Sequence, residues 1–338
     1  MSRARSRDAG PGQTTPGPAP RGLYTAVMTN TMTASPVGQT VIPPGGSPFD
    51  LSDPEAYLRW REEKLARFPG SVADLLVEVD DPARLTEAER AALRDRLCRA
   101  NLVVYRAAGR AVSRDSLRKF GRALGLSRLD EHLCAEEDGI SQLTVSDGAG
   151  QTGEYIPYTD RPLSWHCDGY YNESARMIRA MLLHCVRPAA EGGENALMDH
   201  EMLYIALRDA GNEYIEALMH PEALAIPANV QNGKEIRPER VGPVFSVDPG
   251  TGALHMRYTA RGRHIRWRDD PVTREAVDRI GHLLDATDAP VFRLRLQPGD
   301  GLLCNNVLHN RTGFRDHPEP ERRRLVYRAR YLDRVAET

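Results

Sequence analysis

The stretch Val291-Phe-Arg-Leu-Arg-Leu-Gln-Pro-Gly-Asp-Gly-Leu-Leu-Cys-Asn-Asn-Val-Leu-His309 decides how this chain folds. In its first six residues the arginines fall on one face and the leucines on the other, the period of two that marks a half-buried strand. Pro298-Gly-Asp-Gly301 is a tight-turn signal. Beyond the turn, residues 302–309 read as a second strand ending in a histidine. Short segments of the same kind lie on both sides, at 177–186, 244–247, 254–258 and 324–332, each bounded by Gly, Pro, Asp or Asn. Helical patterns interrupt them at 199–209 and 272–285. Many short strands without a regular strand–helix–strand rhythm predict an α+β fold. The expected core is a double-stranded β-helix, a jelly roll of two sheets, with flanking helices.

The part before the strands is helical. Asp53 is placed to cap a helix through Tyr57, Trp60 and Leu65, and Thr86 to cap another through Leu93 and Leu97. Residues 101–105 read as a short buried strand, and 113–124 as an amphipathic helix with Gly125 at its end. Residues 1 to about 46 are rich in Pro, Gly, Ser and Thr. They lack the apolar surface to offset ordering entropy, so a disordered tail is expected. One domain, 47–338, with a helical first part at 47–125, accounts for the rest.

Composition bounds the function. The 338 residues carry 41% apolar and 27% charged residues and a formal net charge of -2. That balance supplies no field to attract nucleic acid, and no apolar run is long enough for a bilayer. The five cysteines, at 98, 134, 167, 185 and 304, form no C-x-x-C pair and are odd in number. A disulfide framework is thus disfavoured and a reducing, cytoplasmic setting expected. The expected partner is a small-molecule substrate, with self-association left open.

The chemistry concentrates in Leu163-Ser-Trp-His-Cys-Asp-Gly-Tyr-Tyr-Asn172. In extended backbone His166 and Asp168 point to the same side and can converge on one ion. A His-x-acid triplet also occurs at His220-Pro-Glu222 and His317-Pro-Glu319, so the triplet alone is weak, but only the first leads into the strand region. His309 ends a strand and can complete a two-histidine, one-carboxylate face. Such a face leaves coordination positions open and suits iron(II) oxygen chemistry. Arg324 and Arg328 are four apart on the last strand and share a face, where a guanidinium can grip a carboxylate. The competing reading of the pair is a solvated charged edge.

These pieces occur in a recognisable order: His166-x-Asp168, Gly192-Gly-Glu-Asn195, Pro298-Gly-Asp300, Asn305-x-x-x-His309 and Arg324-x-x-x-Arg328. From about Asn101 to Tyr331 the chain resembles the taurine-dioxygenase and clavaminate-synthase-like branch of the 2-oxoglutarate oxygenases. The resemblance implies that His166, Asp168 and His309 hold iron(II). It implies that Arg324 binds the distal carboxylate of 2-oxoglutarate, with Arg328 nearby and Asn195 where taurine dioxygenase has a cosubstrate-contacting threonine. The implied reaction consumes O2 and 2-oxoglutarate, releases succinate and CO2, and hydroxylates a small molecule. Halogenases of the superfamily lack the carboxylate ligand, so Asp168 argues against halogenation.

For substrate, Tyr171 and Asn172, with Tyr170 before them, follow the metal motif, and Arg257 and Arg261 lie in a basic, aromatic segment. An anionic or zwitterionic substrate suits them, against the alternative that the arginines decorate a solvent-facing loop. Tyr155 and Tyr158 either line the pocket or pack beneath it. Two other classes stay open: a cupin-type metal enzyme that does not use 2-oxoglutarate, and a non-catalytic regulatory relative.

Overall fold

The computed structural model describes residues 46–338 except 108, 110, 131–137, 146–155, 232 and 263–264. The expected tail therefore lies outside the described residues apart from Gly46, as does Tyr155.

The helix ends follow from their caps. Asp53 accepts from the Ala56 N–H to open Pro54–Arg67, and Thr86 and Glu89 form a reciprocal capping box at the start of Glu87–Ala100. Asn101 closes that helix in the left-handed region, at φ 56°, and turns the chain straight into the strand Leu102–Ala107. Ser113 caps Arg114–Ala123, and Gly125 follows its end at φ +85°.

Two sheets dominate the α+β architecture. The larger has six strands, in the order Leu76–Val79, Leu102–Ala107, Asp300–Cys304, Ala180–Arg187, Leu325–Tyr331 and Ile140–Leu143. Its first pair is parallel and the rest antiparallel. The smaller has four antiparallel strands, Val291–Leu294, Asn195–Met198, Leu308–Arg311 and Leu163–His166. From Val291 onward the chain alternates between them: Val291–Leu294 is in the small sheet, Asp300–Cys304 in the large, Leu308–Arg311 in the small and Leu325–Tyr331 in the large.

That alternation corrects one expectation. Residues 302–309 are not a single strand: pairing stops at Cys304 and resumes at Leu308 in the other sheet. Asn306 adopts φ 53° at the break, a left-handed conformation that asparagine tolerates better than most side chains. The apolar pattern runs through the break because both halves are buried.

Residues alternate between two apolar layers, so both faces of the large sheet are covered. Leu102, Val104, Met181, Leu183 and Leu302 face Leu197, Phe292 and Val307 in the layer between the sheets. Their neighbours Val103, Tyr105, Leu182 and Leu303 point the other way, onto Leu93, Leu97, Leu117 and Phe120 of the N-terminal helices. Each such leucine or phenylalanine contributes about 2 kcal/mol of burial. The outer face of the small sheet is covered by His200–Ala210, Asn212–Met219 and Pro271–Asp285, which bury Ile205, Ile215 and Ile280 with Met198 and Leu308. Lys64 ties the first helix to this layer through Asp199 at 2.6 Å and Glu201 at 2.5 Å.

No helix among the described residues is long and apolar enough to cross a membrane. Cys167, Cys185 and Cys304 are buried free thiols.

Candidate metal centre

The strands Leu163–His166 and Leu308–Arg311 run antiparallel with His166 directly opposite His309. Trp165 and Cys167 turn outward into the apolar layer beneath the helices, so period-two alternation sends His166 and Asp168 inward. His166 Nε2 lies 3.4 Å from Asp168 Oδ1, and His309 Nε2 lies 3.9 Å from the same oxygen. The three side chains are buried, and one ligand atom of each lies within 4.8 Å of the others. This is the one such cluster among the described residues.

Several features tune these groups for a cation. His166 Nδ1 is 2.9 Å from the Ser164 carbonyl and His309 Nδ1 is 3.0 Å from that of Val307. Each Nδ1–H can donate there, leaving the Nε2 lone pair aimed inward. Burial, then the neighbouring His166, pushes the His309 imidazole down to about 4, so it is neutral at physiological pH. Burial alone would raise the Asp168 carboxyl, but Arg328, a hydrogen bond with His166, and Arg330 hold it well below the usual carboxylate range. Asp168 Oδ2 is buried with no hydrogen-bond partner among the described residues. An ionised, orphaned carboxylate oxygen beside two imidazole nitrogens is a donor set that fits a divalent transition metal.

The turn after Asp168 needs glycine. Gly169 sits at φ +67°, and a Cβ there would meet Ile178 Cγ1 at 2.4 Å. Asn306, at the break between the sheets, fixes Asp168 from behind. Its Oδ1 accepts from the Asp168 N–H at 2.8 Å, and its Nδ2 donates to the carbonyls of Asp168 at 3.0 Å and Ile178 at 2.7 Å. Asn306→Gly keeps the backbone conformation while deleting these bonds. It should lower iron(II) affinity about 10–100-fold and cost ~2–4 kcal/mol of stability, read by anaerobic calorimetric titration and thermal melting. Unchanged iron affinity would show that Asn306 does not position the ligand.

A cavity of about 690 Å³ opens over His166 and Asp168, within the range of small-molecule sites. Of the residues singled out in the sequence, Tyr158, Tyr170, Tyr171, Asn172, Arg261 and Arg328 line it. Arg328 Nη1 lies 3.7 Å from Asp168 Oδ2. Arg324 and Asn195 instead share a narrow recess beside Leu183, Cys185 and Val326. The Arg324 guanidinium is buried, lies 5.1 Å over the Phe314 ring, and has a single 3.4 Å hydrogen bond, to the Leu143 carbonyl. No carboxylate among the described residues pairs with it.

Arg257 is a correction. It is buried and donates to the carbonyls of Tyr170, Leu224, Gly242 and Arg240 at 2.8–3.1 Å. Its fork is consumed in holding three backbone segments together, so it is not available to substrate. Conversely, Arg330 escaped the sequence reading although it shares the face of Arg328 two residues earlier. It lines the cavity, donates to Tyr171 Oη at 3.0 Å and pairs with buried Asp130. Arg237 and Arg240 also reach the cavity, from the charged segment Lys234-Glu-Ile-Arg-Pro-Glu-Arg240.

Comparison with known proteins agrees with this geometry. The family model described as "Taurine catabolism dioxygenase TauD, TfdA family" matches residues 64–330. A uridine-5'-phosphate dioxygenase of Amycolatopsis sp is 33% identical over 174 residues, 50% of this chain and 60% of that protein. One of Streptomyces sp is 32% identical over 200 residues, 57% of this chain and 69% of that protein. The match thus spans less than two thirds of the Amycolatopsis relative. Among solved structures, asparagine oxygenase with Fe(II), hydroxyasparagine and succinate aligns at TM-score 0.51 and 16% identity, over 76% of this chain and 93% of that one. The non-heme iron oxygenase OrfP with Fe and alpha-ketoglutaric acid aligns at 0.52 and 18%, over 75% and 82%. At such identities the structural likeness speaks for the fold alone.

Proposed function

This chain belongs to the TauD, TfdA family of dioxygenases, and from that premise we propose that it is an iron(II)- and 2-oxoglutarate-dependent dioxygenase that hydroxylates a small anionic molecule. The observation that carries the reading is the buried His166, Asp168 and His309 cluster, of which His166 and Asp168 line an arginine-rich cavity. The two sheets are then the halves of a double-stranded β-helix, a reading supported by the regular alternation of the chain between them. The free thiols suit a cytoplasmic setting.

Iron(II) held by the three side chains would supply dioxygen activation, with 2-oxoglutarate consumed to succinate and CO2. The protein's own part is positional. Arg324, a buried cation with no ion pair among the described residues, would clamp the distal carboxylate of the cosubstrate, with the Asn195 amide beside it. Arg328 would hold charge next to Asp168, and Tyr171, Asn172 and Arg261 would face substrate. The apolar layers around the cavity exclude water from the reacting centre.

Uridine 5'-phosphate is the first substrate to test, because two relatives carry that name. Succinate should form at a rate at least ten times higher with uridine 5'-phosphate than with uridine or with no substrate. A metal enzyme that does not use 2-oxoglutarate would make no succinate with any of them, and that result would replace the reading.

A further inference from the structure

The cavity over the triad carries more positive charge than the chemistry at its floor needs. Six arginines line it against three carboxylates, Asp130, Asp168 and Glu173. Bound iron(II) and 2-oxoglutarate carry opposite double charges and leave that balance unchanged, so three positive charges remain for the substrate to meet.

The excess is local. Three of the arginines have carboxylate partners: Arg330 and Arg176 flank Asp130, and Arg328 lies beside Asp168. The other three are poorly matched. Among the described residues Arg240 has only exposed Glu173, at 3.5 Å, and its buried Nε has no hydrogen bond. Arg237 donates to the carbonyls of Pro227 at 2.7 Å and Pro238 at 2.8 Å, and no described carboxylate pairs with it. The Arg261 side chain has no hydrogen bond or ion pair among the described residues. Burial, then the proximity of Arg240, pulls the Arg237 guanidinium below its ordinary range, and Arg257 beneath it is pushed down to about 10 by burial and then by Arg237. Cations held together against their own repulsion, at the wall of a cavity, make an anion site in waiting.

Tyr170 links them to the metal centre, and Thr259, two residues before Arg261, pairs with His166. The Tyr170 ring stands edge-on to His166, centroids 6.4 Å apart, while Arg261 and Arg237 both act on its hydroxyl. A ligand lying across Tyr170 would have one end at the triad and the other among the arginines.

We propose that Arg237, Arg240 and Arg261 form a subsite for the phosphate monoester dianion of the substrate, on the wall of the cavity beside Tyr170. This rests on the small-anion reading above and sharpens it. Three guanidiniums of which one alone has a described carboxylate, Glu173 at 3.5 Å from Arg240, suit a doubly charged tetrahedral group with several acceptor oxygens better than a singly charged carboxylate or sulfonate. Near pH 6 the phosphate takes up its second proton, so affinity should fall as pH drops through that value.

The test uses enzyme loaded anaerobically with iron(II) and 2-oxoglutarate and titrated by calorimetry with uridine 5'-phosphate, uridine and inorganic phosphate. Arg237→Ala and Arg261→Ala are compared with wild type and with Arg266→Ala, an exposed arginine paired to Glu239 outside the cavity. The subsite predicts that Kd for inorganic phosphate rises at least tenfold in both cavity variants and is unchanged in Arg266→Ala. Uridine 5'-phosphate should behave likewise, and uridine should bind at least tenfold more weakly than its phosphate. Melting curves check folding, and if one cavity variant does not fold the other decides.

Phosphate affinity that is independent of Arg237 and Arg261, or that falls equally in Arg266→Ala, overturns the proposal. The inorganic probe decides even if the nucleotide is not the substrate. The visible band of the iron and 2-oxoglutarate complex, recorded on the same samples, reports the parent reading separately.

Discussion

Asp168→Ala is expected to remove iron(II) binding and with it all turnover. The wild-type carboxylate is the only anionic group in the donor set, and its Oδ2 is buried without a hydrogen bond. Losing a direct ligand should weaken iron by more than the ~10–100-fold typical of a supporting group. The check needs no substrate. Iron(II) at a hundred times its Kd stabilises the folded protein by about 2.7 kcal/mol, so anaerobic melting of wild type should shift upward with iron. Asp168→Ala should show no shift. An equal shift in the variant would mean that the metal sits elsewhere.

The second large effect is at Arg324. Its guanidinium is buried with one long hydrogen bond and no carboxylate partner among the described residues, so the free protein carries much of the desolvation cost of a cation. A cosubstrate carboxylate arriving there gains a charge-assisted pair of about 2–4 kcal/mol. Arg324→Ala should therefore raise Kd for 2-oxoglutarate by ~30-fold or more. Iron affinity should hold, and the melting temperature of the cosubstrate-free protein should be unchanged or higher. Titration of iron-loaded variants measures the first, and melting the last. If Arg328→Ala costs more 2-oxoglutarate affinity than Arg324→Ala, the distal carboxylate belongs to the arginine beside Asp168.

The His166, Asp168 and His309 set is legible in the sequence because strand geometry is simple. Residues two apart share a face, and a histidine at the end of a later strand can lie opposite the first. The same rule reaches Arg328 and would have reached Arg330, which sits one step further along the face. It misleads at residues 302–309, where an unbroken apolar run hides a change of sheet. There the backbone turns at Asn306, whose side chain looks like an ordinary polar interruption yet holds Asp168 by two hydrogen bonds and Ile178 by a third. Arg257 and Arg237 show a different limit. Both lie in basic segments, and nothing in composition tells a guanidinium spent on four carbonyls from one left facing a cavity. That distinction depends on which loops the fold brings beside them.

The central claim is that this chain holds iron(II) and 2-oxoglutarate together, and its most direct measurement is anaerobic titration of the two followed by visible absorption. Chelation of iron(II) by a 2-oxo acid on a two-histidine, one-carboxylate face gives a weak visible charge-transfer band. The account predicts that band in wild type, its absence in His166→Ala, and in Arg324→Ala its appearance only at much higher 2-oxoglutarate. A folded, iron-loaded wild type that shows no band at any 2-oxoglutarate concentration would contradict it.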